Sequence, residues 1–459
     1  MPSTTPLDTL LGLREVLNLA VETVAEEWQA HGFPASLQDP LFETKEDALP
    51  SPRLYEATKR AIGAADMLQA LLRYFYLEVL KPSLFHRLDQ YFESRALHAA
   101  SMARIPDILH QALLEGKPDG LTAQELSEKT GYEKNKCGMS ALHILDLHSL
   151  YDAARIMRLL ATNHIFNQTG PERFSNNRTS AALINNPPLA NYIDLYGAES
   201  YASSQHLLAA FKDESLALES AAFARDRIYN AQGKTYWEYN DENSERHDKF
   251  ATAMAGSAQT NLPALLNDYP WFKLEKATIV DVGGGIGTLS LPLLQKYRDL
   301  SVVIQDRESV IAQATEHWKA NFPTAIEEER VVFQVADFFQ PNEVHGAEVY
   351  MLRYIIDDWN DDACVTILSA IKASMSEKSK VLIVEALLIP AWLPSSETST
   401  LTMAPDPLLP NYGLRFISLR NGTERTVSEM TRVVERAGLV VEKIWECRSA
   451  VHITQCALP

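Results

Sequence analysis

The sequence contains few cysteines. Only four of the 459 residues are cysteine, and no two of them form a C-x-x-C pair. This count excludes a disulfide-stapled scaffold, and the spacing matches no zinc or other metal site. We therefore expect free thiols, a reducing cytoplasmic environment and no bound metal. The four are Cys137, Cys364, Cys447 and Cys456.

Positive charge is also scarce. Lysine and arginine number 42 against 60 aspartates and glutamates, which gives a formal net charge of −18. Because nucleic-acid binding without sequence preference needs a basic surface, this balance argues against it. The hydrophobic content of 46% is ordinary for a globular protein, and the length is sufficient for two domains.

Long apolar runs are missing as well. The run Val381–Leu393 is too short to span a bilayer, and it contains Glu385 and Pro390. The first residues include Asp8 and Glu15 and have no basic segment, so a signal peptide is not expected. The sequence thus predicts a protein without a membrane partner.

Four of the 19 glycines lie between residues 283 and 287. The β-branched run Lys276–Val280 before them predicts a buried strand, and the stretch Thr288–Leu294 after them predicts the start of a helix. A glycine turn between a strand and a helix is typical of a nucleotide-type site, because glycine lets the backbone approach a ligand closely. The dinucleotide pattern G-x-G-x-x-G fails, since its sixth position is Thr288. By itself the cluster could be only a tight turn.

Two later strands end in acids. The predicted strand Leu300–Gln305 ends in Asp306, about 20 residues after the glycine turn, where a ribose-binding carboxylate belongs. The strand that begins at Val331 ends in Asp337 and Phe338, which suit an adenine amino group and ring. Helix capping would explain one acid after a strand, but acids in register after two strands favour binding.

Six motifs occur in a fixed order: DVGGGIG, VVIQD, VADFF, LRYIIDDW, VLIVEALLIP and NGTERT. In this order and spacing they resemble the class I S-adenosylmethionine (SAM)-dependent O-methyltransferases of the caffeate and fungal polyketide type. The resemblance covers roughly residues 95 to 459. It implies an α/β fold: a Rossmann-like SAM-binding domain preceded by an N-terminal helical and winged-helix dimerisation domain.

The resemblance implies SAM as the cofactor and assigns residues to it. Asp306 would hold the ribose hydroxyls, and Asp337 with Phe338 would hold and cover the adenine. For Arg353 and Trp359, ordinary packing explains the residue about as well as SAM binding does. The full set of implied SAM-binding residues is Met254, Asp281, Gly283, Gly285, Asp306, Asp337, Phe338, Arg353 and Trp359.

The N-terminal part is predicted to be helical. Apolar spacing predicts helices over residues 6–28 and 53–115, with a proline-rich loop at 30–52. Residues 104–178 look like a winged helix, which in isolation would suggest DNA binding, although the acidic charge argues against that function. In the resembling family this module joins two subunits, which implies a homodimer here. The alternative is a helical cap on the core of the same chain.

We place the domain boundary after residue 260: residues 1–260 form the helical part and residues 261–459 form the SAM-binding part. Residues 184–260 are rich in aromatics, which favours a pocket for a large, flat small-molecule substrate, although each single aromatic is more often ordinary core. The segment 137–152 departs from the family. It is an inserted loop, an extended helix or an unspliced intron, and we assign no role to His143 and His148.

The base position also departs from the family. Methyl acceptance requires that a hydroxyl lose its proton, and the family uses the histidine of a His-Asp-Trp motif for this step. Here the motif is Asp357-Asp358-Trp359, so the base position holds Asp357. The two supporting carboxylates of the family, Glu385 and Glu424, are present. Three nearby carboxyls cannot all ionise easily, so at least one pKa is expected to be raised.

The loss of the histidine leaves three functions open. The first is an O-methyltransferase for an acidic hydroxyl of a polyketide-type or aromatic molecule, with Asp357 as base, Asp357 as a protonated hydrogen-bond donor, or proximity alone. The second is a SAM-dependent pericyclase or dehydratase that uses bound SAM as a fixed positive charge. The third is a non-catalytic SAM-binding partner protein. A distant histidine, His98, His164 or His206, could also replace the missing base.

Overall fold

The computed structural model describes residues 5–32, 36–41, 49–77, 91–130, 152–214, 221–226, 233–242, 244–274, 276–388 and 422–459. Nearly all of the departing segment 137–152, with Cys137, His143 and His148, lies outside these ranges. The chain separates into two compact units. The first is Met1–Ala48, Ala65–Tyr201 and Thr252–Gly256, and the second is Leu49–Ala64, Ala202–Ala251 and Ser257–Pro459. The predicted boundary after residue 260 stays a prediction.

The described helices and strands are numbered in chain order. The helices are α1 Pro6–His31, α2 Pro52–Leu77, α3 Tyr91–Met102, α4 Ile105–Leu114, α5 Ala123–Thr130, α6 Asp152–Thr162, α7 Arg178–Ala181, α8 Pro187–Asp194, α9 Tyr201–Ser204, α10 Leu207–Ala210, α11 Tyr236–Asp241, α12 Ser244–Asp268, α13 Ser290–Lys296, α14 Glu308–Asn321, α15 Pro323–Glu327, α16 Asp361–Lys372 and α17 Val427–Arg436. The strands are β1 Leu121–Thr122, β2 Phe166–Gly170, β3 Arg173–Asn176, β4 Thr278–Val282, β5 Ser301–Asp306, β6 Val331–Val335, β7 Val349–Arg353, β8 Lys380–Glu385, β9 Leu387–Leu388, β10 Arg425–Thr426, β11 Val440–Glu446 and β12 His452–Ala457.

The first unit contains the winged-helix pattern that the sequence predicts. Its sheet has the strand order β1-β3-β2 and is antiparallel. Leu126 of α5, Leu160 of α6 and Phe174 of β3 are at most 2% exposed and belong to one hydrophobic cluster. The apolar faces of these short helices are therefore buried against the small sheet.

The second unit is built on a seven-stranded sheet with the order β11-β12-β8-β7-β4-β5-β6. Strands β4 to β8 are parallel, whereas β12 runs antiparallel to both β8 and β11. The last two strands form the terminal antiparallel hairpin expected from the sequence. The Rossmann-like α/β class is thus the observed fold of this unit.

Alternate residues of the central strands enter different cores, which explains why these strands are apolar throughout. Ile279 of β4 belongs to one buried cluster with Trp318 of α14, and its neighbour Val280 belongs to a second cluster with Ile367 of α16. Because side chains alternate across a strand, both faces of the sheet are covered.

The strand order locates the ligand edge. Strand β4 has β5 on one side and β7 on the other, so the chain reverses its direction of progress across the sheet at β4. In open α/β sheets such a switch point opens a crevice at the carboxyl ends of the strands. The glycine turn follows β4 directly and lies at that crevice.

One predicted boundary is wrong by two residues. The helix expected from Thr288 begins at Ser290, because the turn continues through Gly287 at φ +80°. A side-chain Cβ on Gly287 would stand 2.7 Å from the Trp318 Nε1 atom, so glycine is required there. None of the helices within the described ranges combines the length and the apolar character needed to cross a bilayer.

Candidate active site

The glycine turn is held in a conformation that only glycine adopts readily. Gly283 and Gly285 have φ values of +67° and +58°. The Ile355 side chain lies where a Cβ on Gly283 would stand, with 2.4 Å between the two positions. No atom lies within 4 Å of the corresponding position on Gly285. The turn therefore has a closed side against Ile355 and an open side that leaves room for a ligand.

Asp281 lies at the end of β4, next to this turn. It is 3% exposed, and the Ser290 hydroxyl donates to its Oδ2 at 2.5 Å. Burial raises the pKa of Asp281, while the Ser290 hydrogen bond and the charge of Arg353 oppose the rise. Arg353 in turn donates to the Thr288 hydroxyl. Both predicted residues thus lie at the turn, and their contact with SAM stays a prediction.

Asp306 comes together with the glycine turn. Its Oδ2 accepts the Gly285 amide at 2.9 Å, and its Oδ1 accepts the Arg307 amide at 2.8 Å. Strand β5 pairs in parallel with β4, so its carboxyl end reaches the same edge of the sheet. The carboxylate and the open side of Gly285 fit a ligand that offers hydroxyl donors beside a backbone turn, as the SAM ribose does.

The loop after β6 forms the next wall of the site. Asp337 is exposed and its Oδ1 accepts the Phe339 amide at 3.0 Å, which forms a local turn. The Phe338 and Phe339 rings lie 5.9 and 4.8 Å from the Trp359 ring, both edge to face. The structure therefore brings the adenine-type loop and the Asp-Asp-Trp turn together, as the motif order implies.

Met254 lies on α12 and is half-buried. It belongs to the short segment Thr252–Gly256, which groups with the first unit. Its predicted role as a SAM contact stays a prediction.

Three acids form what we call the carboxyl cluster: Asp357, Glu385 and Glu424, which are 2%, 2% and 4% exposed. Glu385 Oε1 accepts the backbone amides of Ile356 at 2.6 Å and Asp357 at 3.1 Å. The Asp357 carbonyl accepts the Thr423 amide at 2.8 Å, which ties the third acid's segment to the turn. The cluster therefore joins the end of β8, the turn after β7 and the segment before β10.

Gly422 shows how closely these segments approach. A Cβ at this position would stand 2.2 Å from the Asp357 carbonyl oxygen. No side chain fits in that space, so the glycine of the NGTERT motif is required by packing against the turn.

The Glu385 carboxyl has a raised pKa. Burial raises its pKa to about 7, and the nearby charge of Asp358 adds to the rise, while Arg425 and the two backbone amides oppose it. A carboxyl with this pKa is partly protonated near neutral pH. We expected crowding of the three acids to raise at least one pKa; the Glu385 pKa is raised, but the causes are burial and the charge of Asp358.

Glu385→Gln is expected to remove a pH dependence of the free energy of unfolding. The folded pKa of about 7 exceeds the ordinary value of 4.5, so the wild-type carboxyl contributes fully below pH 4.5 and loses that contribution as the pH rises to 7. The wild type should lose about 3 kcal/mol relative to the variant over this range. Urea unfolding of both proteins at acidic and at mildly alkaline pH measures this difference.

Glu442→Gln is the control for that experiment. The Lys380 ammonium donates to the Glu442 carboxylate at 2.6 Å and lowers its pKa, so this pair should lose stability as the pH falls. A constant difference between the wild type and Glu385→Gln at every pH would contradict the assignment of the raised pKa to Glu385.

The distant histidines gain no support as a replacement base. His98 has both ring nitrogens engaged, with Asp194 Oδ1 at 2.6 Å from Nε2 and Arg95 Nη1 at 3.2 Å from Nδ1. His206 Nε2 lies 3.5 Å from the buried Asp226 carboxylate. His164 is exposed at φ +59° in the turn after α6. Each therefore has a structural or solvent-facing position.

Three residues at the site were missed by the sequence reasoning. Arg425 lies under the Asp357 turn, Ser290 caps the Asp281 carboxylate, and His452 lies opposite Glu385 in the β8–β12 pairing. A signal for Arg425 was present, since it belongs to the NGTERT motif. The contacts of Ser290 and His452 depend on tertiary pairings that no local sequence pattern indicates.

Comparison with known proteins identifies the family of this chain. The O-methyltransferase domain family matches residues 214–440, and the O-methyltransferase dimerisation domain matches residues 85–186. O-methyltransferase cicE of Emericella nidulans is 34% identical over 98% of this chain and 89% of its own length. O-methyltransferase gedA of Aspergillus terreus is 34% identical over 97% of this chain and 96% of its own length.

A solved structure supports the fold. The crystal structure of OxaC in complex with S-adenosylhomocysteine (SAH) and oxaline has a TM-score of 0.64, 20% identity, and covers 97% of this chain and 100% of that chain. The α/β sheet, the glycine turn and the acid at the end of the next strand define a Rossmann-like nucleotide-binding class. This chain belongs to the O-methyltransferase family within that class, is an enzyme of the SAM-dependent methyltransferase fold, and has SAM as its cofactor. The predicted family, fold class and cofactor are thus confirmed.

Proposed function

We propose that this enzyme transfers a methyl group to an acidic hydroxyl of a polyketide-type or aromatic small molecule, with Asp357 as the base. The proposal rests on one observation: the turn that carries Asp357 contacts the residues predicted to bind SAM. Ile355 packs against Gly283 and Trp359 packs against Phe338, so the Asp357 turn adjoins the glycine turn and the adenine-type loop. The hydroxyl acceptor would meet Asp357 beside the cofactor.

The site residues have separate roles in the proposed methyl transfer. When bound, SAM supplies an electrophilic methyl group from its sulfonium centre. Gly285 and Asp306 would bind its ribose, and Phe338 would cover its adenine. Glu385 holds the Asp357 turn through two amides, and Asp357 accepts the hydroxyl proton. A carboxylate is a weak base for a simple phenol of pKa about 10, so a more acidic hydroxyl suits this site better.

The relatives favour methyl transfer over the two alternative functions. Both named relatives are O-methyltransferases, and they match nearly the whole chain. Asp357 in place of the family's histidine is what motivates the pericyclase or dehydratase function, and no other described residue favours it or a non-catalytic partner role over methyl transfer. The dimerisation domain at residues 85–186 supports a homodimer as the working form. A cytoplasmic location stays a prediction from the cysteine pattern.

Methyl-labelled SAM tests this proposal. The purified enzyme is incubated with a panel of hydroxylated benzoic acids, naphthols and anthraquinones, and products and SAH are followed by mass spectrometry. We expect labelled product and SAH in equal amounts from acceptors with acidic hydroxyls. Conversion of an acceptor that requires SAM but leaves it intact would establish the non-methylating function. An enzyme that binds SAM but converts no member of the panel would contradict the proposed substrate class.

A further inference from the structure

Arg425 is a buried cation beneath the Asp357 turn. Its side chain is 1% exposed, and its Nε and Nη2 atoms both donate to Asp361 Oδ1, at 2.9 and 2.8 Å. Asp361 is the first residue of α16, and its own side chain is 46% exposed. One half-exposed carboxylate does not satisfy all the donors of a buried guanidinium, which needs further hydrogen bonds. The other contacts of Arg425 are the informative ones.

The same guanidinium donates to three backbone carbonyls. Its Nη1 donates to Ile356 at 2.9 Å and to Thr423 at 3.1 Å, and its Nη2 donates to Trp359 at 2.8 Å. Ile356 and Trp359 flank Asp357 and Asp358, while Thr423 precedes Glu424. One planar group therefore fixes two of the three segments that carry the cluster, the turn after β7 and the segment before β10. The lysine ammonium lacks the planar fork needed to reach all these acceptors at once.

Arg425 also sets the electrostatics of the cluster. The charge of Asp358 in the turn and the Cys364 thiol of α16 act on Glu385, and Asp357 contacts Glu385 through its backbone amide. The Asp357 and Asp361 carboxylates act on the same Cys364 thiol. Glu424 precedes Arg425 on β10, and His452 lies opposite Glu385 on β12. Within the described ranges, Arg425 is the guanidinium that acts on Glu385, and its charge opposes the rise in the Glu385 pKa.

We propose that Arg425 is a positioning residue of the methyl-transfer site, which fixes the Asp357 turn through its fork and sets the charge of the carboxyl cluster through its cation. The inference rests on the proposed function, because it assumes that Asp357 accepts the hydroxyl proton. Its two parts are separable, since the fork requires arginine whereas the charge requires only a cation.

Two variants separate geometry from charge, and a third is the control. Arg425→Lys keeps the charge and loses the fork, and Arg425→Gln loses both. Arg436→Gln removes an exposed arginine of α17 whose Nη2 lies 2.6 Å from Asp362, so it alters another ion pair to α16, away from the cluster. For each protein, infrared titration follows the stretch of protonated carboxyls, with the Glu385 band assigned by its loss in Glu385→Gln. The kcat for methyl transfer is then measured against pH.

We expect the Glu385 midpoint in Arg425→Gln to move to higher pH by about one pH unit, because a neighbouring positive charge has been removed. The acid limb of the kcat profile should move with it, since coupled carboxyls titrate as a group. Arg425→Lys should keep the midpoint within about half a pH unit and lower kcat about tenfold through misplacement of Asp357. SAM affinity should stay within about threefold in all variants, because Asp306, Asp337 and the glycine turn follow other strands and Arg425 contacts only the backbone of Trp359.

An unchanged midpoint in Arg425→Gln, or the same changes in Arg436→Gln, would overturn the inference. If Arg425→Gln does not fold, Arg425→Lys provides the test of the positioning role. A wild-type kcat in Arg425→Lys would show that Arg425 does not position the Asp357 turn. The infrared titration needs no methyl transfer. An enzyme that fails to methylate therefore disproves the proposed function, while the titration still decides the charge role of Arg425.

Discussion

Asp306→Ala is expected to raise the dissociation constant for SAM about 100-fold without unfolding the protein. The Asp306 carboxylate is half-buried at the carboxyl end of β5 and accepts the Gly285 amide at 2.9 Å. Its loss removes the acceptor for the ribose hydroxyls, and hydrogen bonds to a charged group are among the stronger ones. Because Asp306 is only half-buried, water can replace its carboxylate at the Gly285 amide, and stability should change little.

Titration calorimetry with SAM measures this loss, and thermal unfolding without SAM checks the fold. Asp299→Ala is the matched control, since Asp299 is an exposed acid in the turn that precedes the same strand. Asp306→Asn should have an intermediate affinity, because its amide oxygen still accepts one hydrogen bond. Wild-type affinity in Asp306→Ala would remove Asp306 from the SAM site.

The sequence predicted the parts of the site that depend on local signals. The glycine turn follows an apolar strand, and Asp306 and Asp337 follow two more. Because parallel strands bring their carboxyl ends to one edge, the prediction that these acids bind a ligand needed only the strand assignments. The structure places Asp306 against Gly285 and Phe338 against Trp359, in agreement with that reasoning.

The parts that escaped prediction depend on contacts between distant residues. The Arg425 guanidinium reaches the Ile356 carbonyl, 69 positions earlier in the chain. His452 meets Glu385 only because β12 pairs antiparallel to β8 in one particular register. A one-residue change in that register would turn His452 to the other face of the sheet. Local sequence patterns do not contain such information. The positions of Arg425 and His452 next to the carboxyl cluster therefore could not be predicted from the sequence.

Asp357→Asn is expected to lower kcat at least about 100-fold while leaving SAM affinity within about threefold. The amide has the shape of the carboxylate but cannot accept a proton, and the backbone of the turn keeps its bonds to Glu385 and Thr423. Asp362→Asn is the control, because that side chain is 88% exposed on α16. The measurement is the rate of labelled-methyl transfer at saturating SAM.

Asp357→His decides between the roles open to this position. An imidazole of pKa about 6.5 is a stronger base than an ordinary carboxylate, so the variant should also methylate less acidic phenols, with an acid limb near the pKa of histidine. If Asp357 instead donates a hydrogen bond as a protonated acid, Asp357→Asn keeps its activity, because the amide also donates. If proximity alone drives the reaction, both variants retain the wild-type rate. A loss in Asp357→Asn together with recovery in Asp357→His would identify Asp357 as the base.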